Sequence, residues 1–457
     1  MKIKLTPILS AMALTVASQT ATAIDIGEGN GKLEASVKAM HILGSNENTL
    51  DPNSGTGYLA TIRYESPKVN DIKLGLGLYN SGDLFGMTDF EATKPAKGMF
   101  VTDVDDLDTA GDPVTQLGEA YLDWKPEQYH VYGGRMIYKT PLTQAPTSLM
   151  PTFFTVFGAS TTALSPGLEI GLARATQMSL GARTRTEWGV IGEGTGTAGT
   201  GTNPVTSNPA TSLGQADFHS ISKATLGANA DDTDGMSVFN IEYNGIKNLK
   251  LSLWDYYVHD IANNIYLEAE KTIPLQGKKV KLSGQYLTQS AIGDELYVNK
   301  SKSDTGEDLD FNMYGLKASI GNKKWGAFAA YNNSSGDTKM LNAWGGDPAY
   351  TSSIFSRNAY RENVAAYKMG GHYKFAKGWM VKASLANYGQ SDTTRGTSTT
   401  VAQEDATEAD IMLVWKPMKG ATMKLFHANR VSEYNGAGAS DIDLTMGHTR
   451  FIAEYTF

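Results

Sequence analysis

The chain of 457 residues contains no cysteine, which excludes a disulfide scaffold, a thiol nucleophile and any cysteine-ligated metal or cluster. Charge is also scarce: Asp, Glu, Lys and Arg make up 19% of the residues, where soluble proteins carry about a quarter. The charge that is present sums to −8, so a nucleic-acid partner has no electrostatic footing. No mature segment approaches the run of about 18 apolar residues that a membrane helix requires. Gly, Thr, Ser, Asn and Tyr take up the difference. What is left is a β-rich exported protein.

Residues 1–23 read as a secretory leader. Lys2 and Lys4 supply the positive start, residues 5–16 a short apolar stretch, and Ala21-Thr22-Ala23 a small-x-small cleavage site. Pro7 and the shortness of the apolar stretch argue against an N-terminal core helix. Cleavage leaves Ile24 as the first mature residue and residues 24–457 as one domain.

That mature chain alternates. Ile72, Leu74, Leu76 and Leu78 fall on one face of an extended segment, with Lys73, Gly75 and Gly77 on the other. Val280, Leu282 and Tyr286 oppose Lys281, Ser283 and Gln285, and Tyr314, Leu316 and Ala318 oppose Gly315, Lys317 and Ser319. Eighteen such strands are expected, among them 116–124, 129–136, 168–174, 177–187 and 237–244. Short gaps at 66–71, 125–128, 175–176, 245–248, 272–278, 322–323, 376–378 and 416–420 alternate with longer ones such as 80–115, 137–167 and 333–363. Only 260–261 is brief where a long gap is due.

Short-long alternation with both termini on the short side describes an all-β, antiparallel up-and-down transmembrane barrel with short periplasmic turns and long extracellular loops. A closed sheet satisfies its own backbone, so it needs only one apolar face and its average composition stays hydrophilic. Trp124, Trp415 and Tyr64 sit at expected strand ends, where headgroups lie. The last residues, Arg450-Phe-Ile-Ala-Glu-Tyr-Thr-Phe457, put Phe451, Ala453, Tyr455 and Phe457 on one face, in the manner of an outer-membrane targeting strand. The expected location is the bacterial outer membrane, among its lipids and lipopolysaccharide. Little chain precedes the first strand, which leaves no plug domain of the energy-coupled kind.

Within the long gap at 137–167, the stretch 138–158 carries three prolines, including Pro141 and Pro151, together with aromatic residues. Such a loop must pack on something, and the inside of the barrel is available, so it is a candidate constriction loop.

At this point the sequence resembles the OprD-type family of substrate-specific porins. The resemblance lies in Gly118-Glu-Ala-Tyr-Leu-Asp123, Gly134-Arg-Met, Thr140-Pro-Leu, Leu149-Met-Pro-Thr-Phe153, the segment 264–275, Trp344-Gly-Gly-Asp-Pro-Ala-Tyr-Thr-Ser-Ser-Ile354 and the two closing strands. Membership implies an eighteen-strand barrel with a narrow eyelet, a ladder of basic side chains on one wall and an acidic pocket opposite. It also implies facilitated diffusion of small solutes, often carboxylates. Arg450 falls on a ladder arginine, Lys424 replaces another, and Asp347 falls on the acidic pocket residue. Phe426 stands where a further basic residue is expected, and Ser148 where the third loop usually has arginine, which weakens the case for a strict carboxylate requirement.

Parity alone places Lys38, Lys368, Lys382, Lys424 and Arg450 on the inner face of neighbouring strands, a basic stripe interrupted by Asp410 and Met412. Thr140, Pro141, Ser148 and Pro151 are the constriction-loop candidates. Other signals fall short. The acidic segment 103–108 lacks the Gly and distal Glu of an EF-hand, the Gly- and Thr-rich segment 192–201 lacks a P-loop lysine, and the seven histidines show no metal-ligand spacing. No catalytic elbow is present, so neither an enzyme nor a cofactor is expected. The expectation is a passive, substrate-selective porin for small carboxylates or amino acids, monomeric or trimeric. A general diffusion porin and a non-transport surface barrel are the rivals.

Overall fold

The computed structural model describes residues 24–26, 31–46, 54–90, 99–100, 110–143, 149–179, 181, 216–226, 230–294, 309–391, 394–395, 402–435 and 442–457. The expected leader, the acidic segment 103–108, the segment 192–201 and Ser148 lie outside these residues.

Eighteen long strands run antiparallel around one closed sheet. In chain order they are β1 (Gly31–Asn46), β2 (Ser54–Glu65), β3 (Ile72–Asp83), β4 (Val114–Trp124), β5 (Tyr129–Met136) and β6 (Phe153–Thr161). Then follow β7 (Leu168–Ser179), β8 (Met236–Tyr243), β9 (Leu249–Val258), β10 (Ala262–Leu275), β11 (Lys278–Ala291) and β12 (Asp310–Gly321). The last six are β13 (Trp325–Ser335), β14 (Ala365–Ala376), β15 (Trp379–Tyr388), β16 (Ala402–Trp415), β17 (Ala421–Asn435) and β18 (Ile442–Thr456). Closure comes from β18 pairing with β1, from Ser36↔Thr456 to Asn46↔Met446. The Phe457 N–H adds one more bond to the Ala35 carbonyl at 2.7 Å. With no free edge, each wall strand finds backbone partners on both sides, the condition for crossing a bilayer in extended conformation.

The two faces then follow from the period of two. Leu74, Leu76 and Leu78 of β3, Leu172 of β7, Leu316 of β12, Met369 of β14, Ile411 of β16 and Leu425 of β17 are exposed on the outer wall. Trp379 and Trp415 stack there at 5.0 Å, at the ends of β15 and β16 beside the short turns. The inner face is covered differently along its length. Toward the long loops, inward side chains such as Tyr256, Phe311 and Tyr388 are buried by chain that enters the bore. Toward the short turns, the bore stays open.

One region differs from the sequence expectation. The segments expected as separate strands at 168–174 and 177–187 begin as one strand, β7, and 175–176 is not a turn. Thr176 is the extra residue of a bulge, since Thr155 pairs with Gln177 while Val156 pairs with Ala175. A bulge reverses the alternation downstream of it, which in sequence is indistinguishable from a break between strands. Conversely, β6 falls inside the expected 137–167 loop. Phe153, Phe154 and Val156 are buried by the interior while Phe157 faces outward, so both phases are apolar and no alternation marks the strand. The true loop is therefore 137–152, and the short turn is 162–167. The two departures cancel, and the strand number of eighteen stands.

The connection between β9 and β10 is as brief as expected. Asp260 takes a positive φ of 60°, and the Ile261 N–H bonds to the Val258 carbonyl at 3.0 Å.

Candidate functional site

Described residues of three long connections enter the bore from the same end. The first is 137–152. Thr140 and Thr143 close a small turn, the Thr140 N–H donating to Thr143 Oγ1 at 3.0 Å. Thr143 Oγ1 in turn donates to the Tyr138 carbonyl. Leu142 is fully buried, its N–H donating to the Tyr256 hydroxyl of β9 at 3.4 Å. Leu149 and Met150 pack with Met40, Leu59, Phe153 and Phe426 in a second interior cluster. Pro141 and Thr140 line a cavity of about 320 Å³ with Trp254, Tyr266 and Glu268, and Pro151 stands next to the buried Thr152.

The second is 336–364. Its anchors are inward side chains of the wall, each serving backbone groups that would otherwise lie buried without partners. Gln289 accepts from the Leu341 N–H at 2.7 Å and donates to the Leu341 carbonyl at 2.8 Å. Asn332 accepts from both the N–H and the hydroxyl of Thr351 at 3.0 Å. Glu408 is wholly buried and accepts from the Phe355 N–H at 2.8 Å, the Ser356 N–H at 2.7 Å and the Ser356 hydroxyl at 2.6 Å. The third is the segment at 216–235, whose one-turn helix α1 (Ile221–Leu226) offers Thr225 Oγ1 to the buried Trp344 indole at 3.2 Å.

The loops also meet each other. Thr143 and Gly345 form an isolated antiparallel bridge, and the Gly346 N–H donates to the Leu142 carbonyl at 3.1 Å. Two segments that carry the family resemblance, Thr140-Pro-Leu and Trp344-Gly-Gly-Asp, thus touch across the bore.

Asp347 sits within the second loop. It pairs with Arg357 Nε at 2.8 Å and accepts from Ser352 Oγ at 2.6 Å and the Tyr360 hydroxyl at 2.7 Å. Burial and the adjacent Asp347 carboxylate push the Tyr360 hydroxyl far above its ordinary range, which keeps it a neutral donor. Asp347 is therefore held by loop partners, its side chain only 11% exposed.

All five basic candidates point inward, but in two groups. Lys368 donates to the Ser352 carbonyl at 2.6 Å and Ser353 Oγ at 2.9 Å, and lies 3.8 Å from Asp410. With Lys382 it lines an open cavity of about 830 Å³ at the short-turn end of the bore. Ladder register sets Lys382, Met412, Phe426 and Arg450 in one row across β15 to β18. Arg450 donates to His448 Nε2 at 2.6 Å with its guanidinium 5.3 Å from the Phe426 ring. Lys38 lies within electrostatic reach of Glu454, Lys424 and Arg450.

The sequence reading missed Glu408 and Arg357, which hold the second loop, and the further cations of the open cavity: Lys279, Lys281, Lys317 and Lys323. Alternation had already set Lys281 and Lys317 on the polar face of their strands, so their inward direction was available. Which lysines share a chamber depends on register, which a single strand does not display. Among the described residues no group of His, Asp and Glu is arranged to hold a metal ion.

Comparison with known proteins agrees with this architecture. No curated protein matches the chain in sequence. Among solved structures, Pseudomonas aeruginosa OccK9 (OpdG) superposes with a TM-score of 0.70 at 15% identity, covering 94% of this chain and 100% of that one. Pseudomonas aeruginosa OpdK with vanillate gives 0.68 at 14%, covering 93% and 98%. Acinetobacter baumannii OccAB4 gives 0.68 at 15%, covering 93% and 98%. Residues 206–457 match the family described as outer membrane porin, OprD family. With more than half of its length so matched and its wall a closed eighteen-strand barrel, the chain belongs to the OprD family of outer-membrane porins.

Proposed function

We propose that this porin passes small hydrophilic solutes selectively and passively, with small carboxylates or amino acids as the favoured class. The observation that carries the reading is the contact of the 137–152 and 336–364 loops inside the bore, at Thr143–Gly345 and Leu142–Gly346. Loops joined to each other and tied to the wall narrow a passage at a fixed place. A narrow passage strips water from a solute, and fixed charges and hydroxyls offset that loss for solutes that match them.

Lys368, Lys382, Lys424, Arg450 and Lys38 supply cations along one sector of the inner wall, a field that draws an anionic group along the bore. Vanillate, named with the OpdK structure, is a carboxylate, and this supports the same class here. Asp347, tied to Arg357, serves in this reading to shape the loop beside the passage and to temper the anion preference.

Planar-bilayer recording of the refolded protein tests the proposal. Small, anion-preferring steps that are blocked by millimolar carboxylates or amino acids support it. Large unselective steps favour a general diffusion porin, and a silent membrane favours a non-transport barrel.

A further inference from the structure

The periplasmic rim of the barrel is basic. Seven of its eight short turns carry a lysine or abut one: Lys68, Lys125, Lys247, Lys278, Lys324, Lys377 and Lys416. All seven are exposed, and none forms an ion pair among the described residues. In a chain of net charge −8, such a concentration of cations at one level is not a composition effect.

Between β11 and β16 these lysines meet an aromatic band on the outer wall. The Lys278 ammonium lies 5.7 Å from the Trp325 ring centre, and the Lys324 ammonium 5.3 Å from that of Tyr373. Trp325 and Tyr373 are ladder partners, and Tyr373 is exposed on the lipid side. Phe375, Trp379 and Trp415 continue the band, with centroids 6.0 Å and then 5.0 Å apart. Aromatic rings of this kind settle at the headgroup level of a bilayer. Ammonium groups held against those rings, beyond the apolar wall, stand at the height of lipid phosphates.

We propose that this sector, Lys278, Lys324, Trp325 and Tyr373 with Lys377 and Lys416 beside them, is a docking site for the phosphate of an anionic glycerophospholipid in the periplasmic leaflet. Charge complementarity selects the headgroup: two neighbouring ammoniums without carboxylate partners favour a net-negative lipid over a zwitterionic one, whose own amine they repel. The rings fix the depth and cover the glycerol region. The inference does not depend on what the bore conducts.

The test is native mass spectrometry of the full-length protein released from bilayers of mixed phosphatidylglycerol and phosphatidylethanolamine. The wild-type protein is expected to retain phosphatidylglycerol preferentially. K278Q/K324Q/K377Q/K416Q should lose that preference, by up to about fivefold per lysine, while the matching Lys→Arg variant keeps it. Unboiled-gel migration controls for an intact barrel in each case. Equal retention of both lipids by the wild type, or an unchanged preference in the Gln variant, overturns the proposal. So does a Gln variant that keeps its lipid but loses binding to purified peptidoglycan, since the rim would then serve that polyanion instead.

Discussion

Gly346 presses its backbone against Leu142: a Cβ at that position would stand 2.2 Å from the Leu142 carbonyl carbon. No flexible side chain separates the two loops there, so the approach requires glycine. G346V is expected to force the 137–152 and 336–364 loops apart at a local cost of about 1–3 kcal/mol, typical of an overpacked interior. The wall ladders do not involve Gly346, so the barrel should persist. Single-channel recording should show a larger step and weaker solute block. An unchanged conductance would mean that this contact does not set the width of the passage.

Glu408 is the wall residue on which the second loop rests. E408A removes the acceptor for the Phe355 and Ser356 N–H groups, stranding two buried donors at about 1–3 kcal/mol each. E408Q keeps the shape but loses the charge-assisted strength of these bonds. The expected result is graded: added current noise and faster proteolysis within 353–357 for E408A, and a smaller effect for E408Q. Proteolysis that is equally slow in all three proteins would show that Gln289 and Asn332 hold the loop without Glu408.

Much of this fold was legible because a barrel wall is periodic. Ile72, Leu74, Leu76 and Leu78 announce their face by polarity alone, and each tight turn announces its end of the molecule. The reading lapsed where the interior is not water. Phe154 and Val156 face a bore filled by loops, so their strand has no polar phase. Thr176 adds one residue to a ladder and mimics a turn. The inward direction of Lys382 and Arg450 could be read from parity, but the row that joins them through Met412 and Phe426 could not. That row depends on inter-strand register, and Asp347 depends on a loop whose path is set by side chains far away in sequence.

The two basic groups should separate in their effects. Lys382 faces the open cavity, and K382Q is expected to lower anion preference in a salt-gradient reversal potential, with an effect that fades as ionic strength rises. Arg450 is only 7% exposed and rests against Phe426 and His448, so R450Q should change solute block more than bulk ion preference. If both variants leave reversal potential and block untouched, the basic sector does not guide solutes.

The adjoining wall, β2 to β4, carries its own buried charge. Arg63 meets Glu119 through two bonds, at 2.6 and 3.0 Å, and the Tyr79 hydroxyl donates to the same carboxylate at 2.7 Å. Glu119 fits because Gly77, its ladder partner, leaves room, a Cβ there standing 2.6 Å from the carboxylate. The side chain of Arg63 is 36% exposed, so the pair itself contributes less than a fully buried one. Removing only Glu119 is another matter: Arg63 and Tyr79 lose their acceptor in a half-dry wall. E119L should therefore cost about 2–3 kcal/mol, read as a lower temperature for the shift in unboiled-gel migration. Replacing both charges, as in R63M/E119L, should recover most of that loss, because no charge is then left without a partner. A double variant as unstable as the sum of R63M and E119L would show that the two side chains act independently, and that the wall gains its stability from packing around Tyr79 and Phe153.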